Sequence, residues 1–162
     1  MKKILVSACL VGRPVRYDGA AATLQDDILD RWVREGRAVI VCPEVSGGLS
    51  TPRDPAEIVG GTGDDVLDGT ARVVTDRGVD VTAQFVHGAE VALALAQKSS
   101  AVAALLQERS PSCGSKTIYD GTFSKNKIDG RGVTASLLER HGIRVFRATD
   151  IVDADLFLKG EQ

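Results

Sequence analysis

Ala101-Val102-Ala103-Ala104-Leu105-Leu106 runs through Gln107 into Glu108-Arg109-Ser110-Pro111-Ser112-Cys113-Gly114-Ser115-Lys116. The first six residues are an unbroken apolar run bounded by turn chemistry, the mark of a buried strand. The second part holds a cysteine between serines, with Pro111 before it and Gly114 after it, so it reads as a loop. The arrangement recurs twice. Ile4-Leu5-Val6-Ser7-Ala8-Cys9 runs into Gly12 and Pro14, and Ala38-Val39-Ile40-Val41-Cys42 runs into Pro43 and Gly47-Gly48. Each cysteine therefore ends an apolar strand and opens a loop.

Helical periodicity fills the gaps between these runs. Leu24, Ile28 and Trp32, widened by Leu29 and Val33, predict a helix that begins near Thr23. The Thr23 hydroxyl would cap it, with Asp26 in a shortened capping box and Gly36 as its left-handed stop. With the strands at 4–9 and 38–42 this makes a strand–helix–strand unit, parallel and right-handed. Residues 43–57 are too rich in Gly and Pro for a regular element and read as a long functional loop. Residues 58–80 predict a small hairpin with a strand at Ala71-Arg72-Val73-Val74. The longest helix is expected from about Val81 to Ser99, with Val81, Phe85, Ala89, Ala92 and Ala96 on one stripe. Ile118-Tyr119-Asp120-Gly121-Thr122-Phe123 reads as a hairpin around its Asp-Gly turn. Gly130-Arg131-Gly132 leads into a helix carrying Val133, Leu137 and Leu138, stopped by Gly142. Ile143–Phe146 is a last strand, and 150–158 a terminal helix. The alternation specifies an α/β fold: one domain over residues 1–162, with an open, doubly wound, Rossmann-like and mostly parallel sheet and a small hairpin insertion.

Composition narrows the function. With 162 residues, 43% of them hydrophobic and only 4% aromatic, the chain suits an aliphatic α/β interior. A net charge of −2 with scattered Lys and Arg lacks the basic stripe of a nucleic-acid binder. No apolar run approaches the ~20 residues of a membrane span. Ser7, Cys9, Gly12 and Arg13 interrupt the N-terminal apolar run too early for a signal peptide. A cytoplasmic protein with a small ligand is expected, and three cysteines are an odd number for a disulfide framework.

In open parallel sheets, ligands bind beyond the carboxyl ends of the strands, where strand order reverses. Cys9, Cys42 and Cys113 are 33 and then 71 positions apart, yet such a fold brings their strand ends to one edge. Three thiolates there could hold one face of a cubane iron–sulfur cluster with one iron left open. The competing reading is three unrelated buried cysteines acting as small hydrophobes. Glu44, two residues after Cys42, would face the same side in extended backbone; otherwise it is a solvated loop residue. Ser110, Ser112 and Ser115 offer hydroxyls or turn caps. Arg53 and Glu57 would line the pocket mouth or pair at the surface, and Arg16, Tyr17 and Asp18 carry the same two readings. His87, mid-helix, and His141, at a helix end, read as structural. No P-loop, G-x-G-x-x-G or C-x-x-C motif is present.

Ser7-Ala8-Cys9-Leu10-Val11-Gly12, Val15-Arg16-Tyr17-Asp18-Gly19, Cys42-Pro43-Glu44, Gly47-Gly48-Leu49, Pro52-Arg53 with Pro55-Ala56-Glu57, and Ser110-Pro111-Ser112-Cys113-Gly114 together resemble a bacterial family. It was long known only as a domain of unknown function and is now associated with thiouracil desulfurases. The resemblance extends through Ile118–Phe123 and Gly132-Val133; Lys125-Asn126 departs from the glycine expected there. The resemblance implies a [4Fe-4S] cluster on Cys9, Cys42 and Cys113, with the fourth iron open to the thiocarbonyl sulfur of a small-molecule thioamide. It further implies Glu44 and Ser110 as catalytic residues, Ser112 and Arg53 as substrate-binding residues, and a non-redox conversion of 2-thiouracil and water to uracil and sulfide. A monomer or weak dimer, with no nucleic-acid or membrane partner, is expected. The alternatives from other classes are a non-enzymatic iron–sulfur redox sensor or cluster carrier, and a three-thiolate zinc hydrolase.

Overall fold

The structure is a computed structural model describing residues 1–160. In chain order its elements are β1 (Lys3–Ser7), α1 (Asp27–Arg34), β2 (Ala38–Val41), α2 (Pro43–Ser46), β3 (Ala56–Val59), α3 (Gly63–Leu67), β4 (Arg72–Thr75), α4 (Thr82–Ser99), β5 (Ala101–Leu106), β6 (Thr117–Tyr119), β7 (Lys127–Asp129), α5 (Val133–Arg140), β8 (Arg144–Arg147) and α6 (Ile151–Leu158). The central sheet is parallel, in the order β2-β1-β5-β8. The chain leaves β1 for β2 on one side, then returns past it to β5 on the other. Strand order therefore reverses between β1 and β5, the crevice where such sheets bind ligands. The Rossmann-like α/β expectation holds.

Alternation along β1 builds both faces of the sheet. Ile4 and Val6 pack with Leu29 and Trp32 of α1 and with Ile151 and Leu158 of α6. Leu5 turns the other way, into a layer with Ala92 and Ala96 of α4 and Leu138 of α5. The alanines of α4 let that helix lie close on the sheet, and Ala89, Ala92 and Ala96 are fully buried. A third cluster, with Ile58, Val73, Val81 and Phe85, seats the β3–β4 pair on the start of α4. Asp155 ties α6 to α1. Burial pushes its carboxyl up, but hydrogen bonds from Arg31, Lys159 and the Trp32 indole more than offset this and hold it at about 2. The indole donation spans 3.0 Å.

Several boundaries differ from expectation, each for a local reason. β1 ends at Ser7, and Ala8–Val11 tighten into a 3₁₀ turn closed by Gly12 at φ 93°. α1 begins at Asp27 rather than near Thr23. The amides of Ala22 and Leu24 are already committed to the carbonyls of Cys9 and Leu10, so this segment runs extended along the turn. The cap is Asp26, whose side chain accepts from the Ile28 amide at 2.8 Å. Residues 43–57 are not wholly irregular: Pro43, pre-set for a first helical position, starts the one-turn α2, and Ala56 begins β3. β3 pairs antiparallel with β4, and α3 with its Thr62–Asp65 capping box fills the connection. The second hairpin pairs β6 with β7. Thr122 and Phe123 fall in its connection, because the Asp120 carboxylate accepts from the Thr122 amide at 3.0 Å and curls the chain into a longer turn. Among the described residues, no helix is long and apolar enough to cross a membrane.

Candidate metal centre and catalytic cleft

The loops beyond β1, β2 and β5 open onto one cleft of about 700 Å³, lined by Cys9, Cys42, Cys113, Glu44, Arg53 and Ser110 among others. Each cysteine is presented differently. Cys9 lies in the 3₁₀ turn after β1, and Cys42 is the extended residue that caps α2. Cys113 sits in a turn closed by the Gly114 amide donating to the Ser110 carbonyl at 2.9 Å. That turn is pinned from two sides. The amides of Val133 and Thr134, at the start of α5, donate to the carbonyls of Pro111 and Ser112 at 2.7 and 2.9 Å. The Glu108 carboxylate accepts from the Ser115 and Lys116 amides at 2.9 and 3.3 Å and draws the loop shut beneath Cys113.

All three thiols are free. Burial pushes the Cys113 thiol well above its ordinary value, and the charges of Glu44, Cys42 and Cys9 add to that. Cys9 rises to about 11, from burial first and then Cys42. Cys42 rises for the same first reason, Glu44 adding to it and Arg53 opposing. Glu44 and the neighbouring thiols therefore add to burial in disfavouring ionisation of the three cysteines. Thiols raised in this way are held protonated, and binding a cationic centre to such thiols would release their protons. Among the described residues no three His, Cys, Asp or Glu side chains close around a single metal ion.

Ser7 at the end of β1 donates to the Cys113 sulfur at 3.7 Å and accepts from the Gln107 amide at 3.1 Å. Beside the thiols stands a polar string. The Ser110 hydroxyl donates to Glu44 Oε2 at 3.1 Å and accepts from the amides of Ser112 and Cys113 at 3.0 and 3.2 Å. The Arg53 guanidinium, only 8% exposed, reaches Glu44 Oε1 at 3.3 Å. It also donates to the carbonyls of Ser50 and Val15, each at 3.0 Å. The Val15 carbonyl lies 4.0 Å from the Cys42 sulfur as well. Glu44 thus reaches the cleft from the first turn of α2; the strand alternation expected of it does not apply, because Pro43 already starts the helix. Ser112 is not brought to the cleft: it is 1% exposed and its hydroxyl bonds Thr134 at 2.7 Å. Ser7, Val15 and Glu108 are the supporting residues that sequence reasoning missed. Only Glu108, heading a Ser/Pro/Gly loop, carried a local signal.

Glycine sets where α2 sits. A Cβ at Gly47 would meet the Gln84 carbonyl at 2.1 Å, and one at Gly88 would meet the Pro43 carbonyl at 2.0 Å. The backbones of α2 and α4 touch there, one turn from Cys42 and Glu44. Alanine gains about 1 kcal/mol over glycine inside a helix, but the obstacle at Gly88 is main chain and cannot swing aside. Overpacking of this kind costs about 1–3 kcal/mol. Gly88→Ala is therefore expected to lower the melting temperature and to reduce bound iron by displacing α2. An unchanged melting curve with full iron content would show that the contact is not what positions the site.

Around the mouth, Arg109, Phe123 and Lys125 hold left-handed backbone at φ 71°, 57° and 64°. Lys125 adopts this conformation where a glycine was expected. A smaller depression of about 370 Å³ adjoins the far side of the Glu44–Arg53 pair.

A family model described as 2-thiouracil desulfurase matches residues 4–150 of the chain. An uncharacterized protein of Bacillus subtilis (strain 168), YbbK, is 52% identical over 150 residues, covering 93% of this chain and 98% of its own. The solved structure of a [4Fe-4S]-dependent thiouracil desulfidase, TudS, is 48% identical. It covers 98% of this chain and 99% of its own with a TM-score of 0.89.

Proposed function

Because the chain belongs to the 2-thiouracil desulfurase family, we propose that it removes sulfur from 2-thiouracil or a related cyclic thioamide, using a [4Fe-4S] cluster held by Cys9, Cys42 and Cys113. The single observation that carries the reading is the Arg53–Glu44–Ser110 string, bonded through to the Cys113 amide inside the cleft that the three thiols line. When bound, the cluster would supply an iron without a protein ligand, a Lewis acid for the thiocarbonyl sulfur.

The chain's own residues do the proton work. Glu44 accepts a proton from the water that adds to the thiocarbonyl carbon, and returns it as the C–S bond breaks. Thioamide and water are consumed, oxo compound and hydrogen sulfide are formed, and no electrons are exchanged. Ser110 donates to the carboxylate oxygen facing it and hands the orientation of Glu44 on to the Cys113 turn. Arg53, tied to two carbonyls, fixes the other oxygen. Its role is to position Glu44 rather than to grip substrate, and Ser112 braces the loop. The partner is a small molecule, taken up by a cytoplasmic monomer or weak dimer.

The test is anaerobic turnover of the reconstituted protein. Equal amounts of uracil and sulfide should appear from 2-thiouracil without any added reductant. A fully loaded protein that releases no sulfide from any cyclic thioamide would support a sensor or cluster carrier instead.

A further inference from the structure

Glu57 in β3 is a buried carboxylate, 9% exposed, that lines the cleft. Among the described residues no cation pairs with it. Its neighbour Ile58 faces the third core cluster, so strand alternation turns Glu57 the other way. Its Oε1 accepts from the amides of Gly121 and Phe123 at 2.9 and 3.2 Å. This seats the connection between β6 and β7 on β3 so closely that a Cβ at Gly121 would lie 2.5 Å from the Ile58 carbonyl. The same connection carries the left-handed Phe123 and Lys125 at the cleft mouth. The other oxygen, Oε2, has no hydrogen-bond partner among the described residues. It is not sealed away either, for the only fully buried side-chain oxygen or nitrogen left unpartnered there is Ser136 Oγ. Oε2 therefore keeps some access to solvent, on a residue that lines the cleft. A carboxylate oxygen in such a place needs a donor from water or ligand.

We propose that Glu57 orients the substrate, its Oε2 accepting a ring N–H of the cyclic thioamide while its Oε1 holds residues 120–126 against β3. The proposal rests on the function assigned above. 2-Thiouracil carries an N–H on each side of its thiocarbonyl, and a charged acceptor takes such a donor strongly. A site built around that bond selects against analogues alkylated at both nitrogens, which leave the carboxylate unpaired. A thioamide alkylated at one nitrogen only still satisfies it.

Glu57→Gln separates the two roles. The two loop amides require an acceptor, so the amide oxygen stays with them and the NH₂ turns to the cleft, where donor would meet donor. On the cluster-loaded protein, the affinity for uracil, which has the same ring N–H groups and no sulfur to lose, is measured by calorimetry beside that for 1,3-dimethyluracil. Uracil should bind about 10- to 100-fold more weakly to the variant, the range of a hydrogen bond to a charged group. 1,3-Dimethyluracil should bind both proteins equally poorly. With 2-thiouracil the loss should fall on KM, with iron content and absorbance unchanged. An unchanged uracil affinity overturns the proposal. So does an equal loss for uracil and its dimethyl analogue, which would mean that the substitution had only loosened the loop. Glu57→Ala, which removes the clamp outright, calibrates that second outcome through the rate of limited proteolysis at residues 120–126. Failure of the wild type to release sulfide would strike the assigned function; normal release with unaltered uracil binding in the variant would strike this proposal alone.

Discussion

Serine at any one of Cys9, Cys42 or Cys113 is expected to leave the anaerobically purified protein colourless and without iron. A hydroxyl is not ionised near neutral pH and is a poor ligand for iron–sulfur iron, which takes thiolate. The substitution is nearly isosteric, so the effect should not be one of packing. At Cys113, the most deeply buried, the turn is held by main-chain bonds to α5 and by the Ser110 hydroxyl on its amide. Neither involves the sulfur, so the apo variant should unfold cooperatively at a temperature close to that of apo wild type. Two remaining thiolates would hold only two of the four irons. The measurement is iron and sulfide content together with the broad visible absorbance. Full iron retention in one variant would remove that cysteine from the site. Retention in all three would dismiss ligation by these cysteines.

Glu44→Gln is expected to slow turnover by about 10²–10⁴-fold, the usual cost of losing a general acid–base group, while the cluster survives. The amide keeps the shape of the side chain, and its single oxygen can still accept from Arg53 while its NH₂ faces Ser110. Arg53 loses its charged partner but keeps the carbonyls of Val15 and Ser50, so the guanidinium is not stranded. Rate and spectrum together separate the outcomes. An intact spectrum with turnover down by that factor supports proton handling by Glu44. An intact spectrum with near-normal turnover moves the task to another group, Ser110 first. Loss of the spectrum would make Glu44 part of the metal site.

The element order was legible in the sequence because it depends on short-range chemistry. Apolar runs at 4–7, 38–41 and 101–106, the helical spacing over α4 and the glycine stops near residues 36 and 142 all act within a few residues. Those same runs carried the cysteines to their ends, and the recurring Gly/Pro loops beyond them marked the site. Where local signals competed, the reading slipped. Thr23 could cap a helix in isolation, but the carbonyls of Cys9 and Leu10 claimed the amides around it. Asp-Gly could make a two-residue hairpin turn, but the Asp120 side chain and a distant glutamate stretched it. The tertiary structure alone decided what lies opposite what. The strand order β2-β1-β5-β8 makes Cys9 and Cys113 flank one crevice. The glycine contact between α2 and α4 fixes where the helix carrying Glu44 sits. Ser7, Glu108 and Glu57 acquire their tasks only from partners on other elements or across a closed loop. Hydrogen bonds and backbone contacts between segments far apart in the chain have no periodic signature, so they exist only once the sheet has brought those segments together.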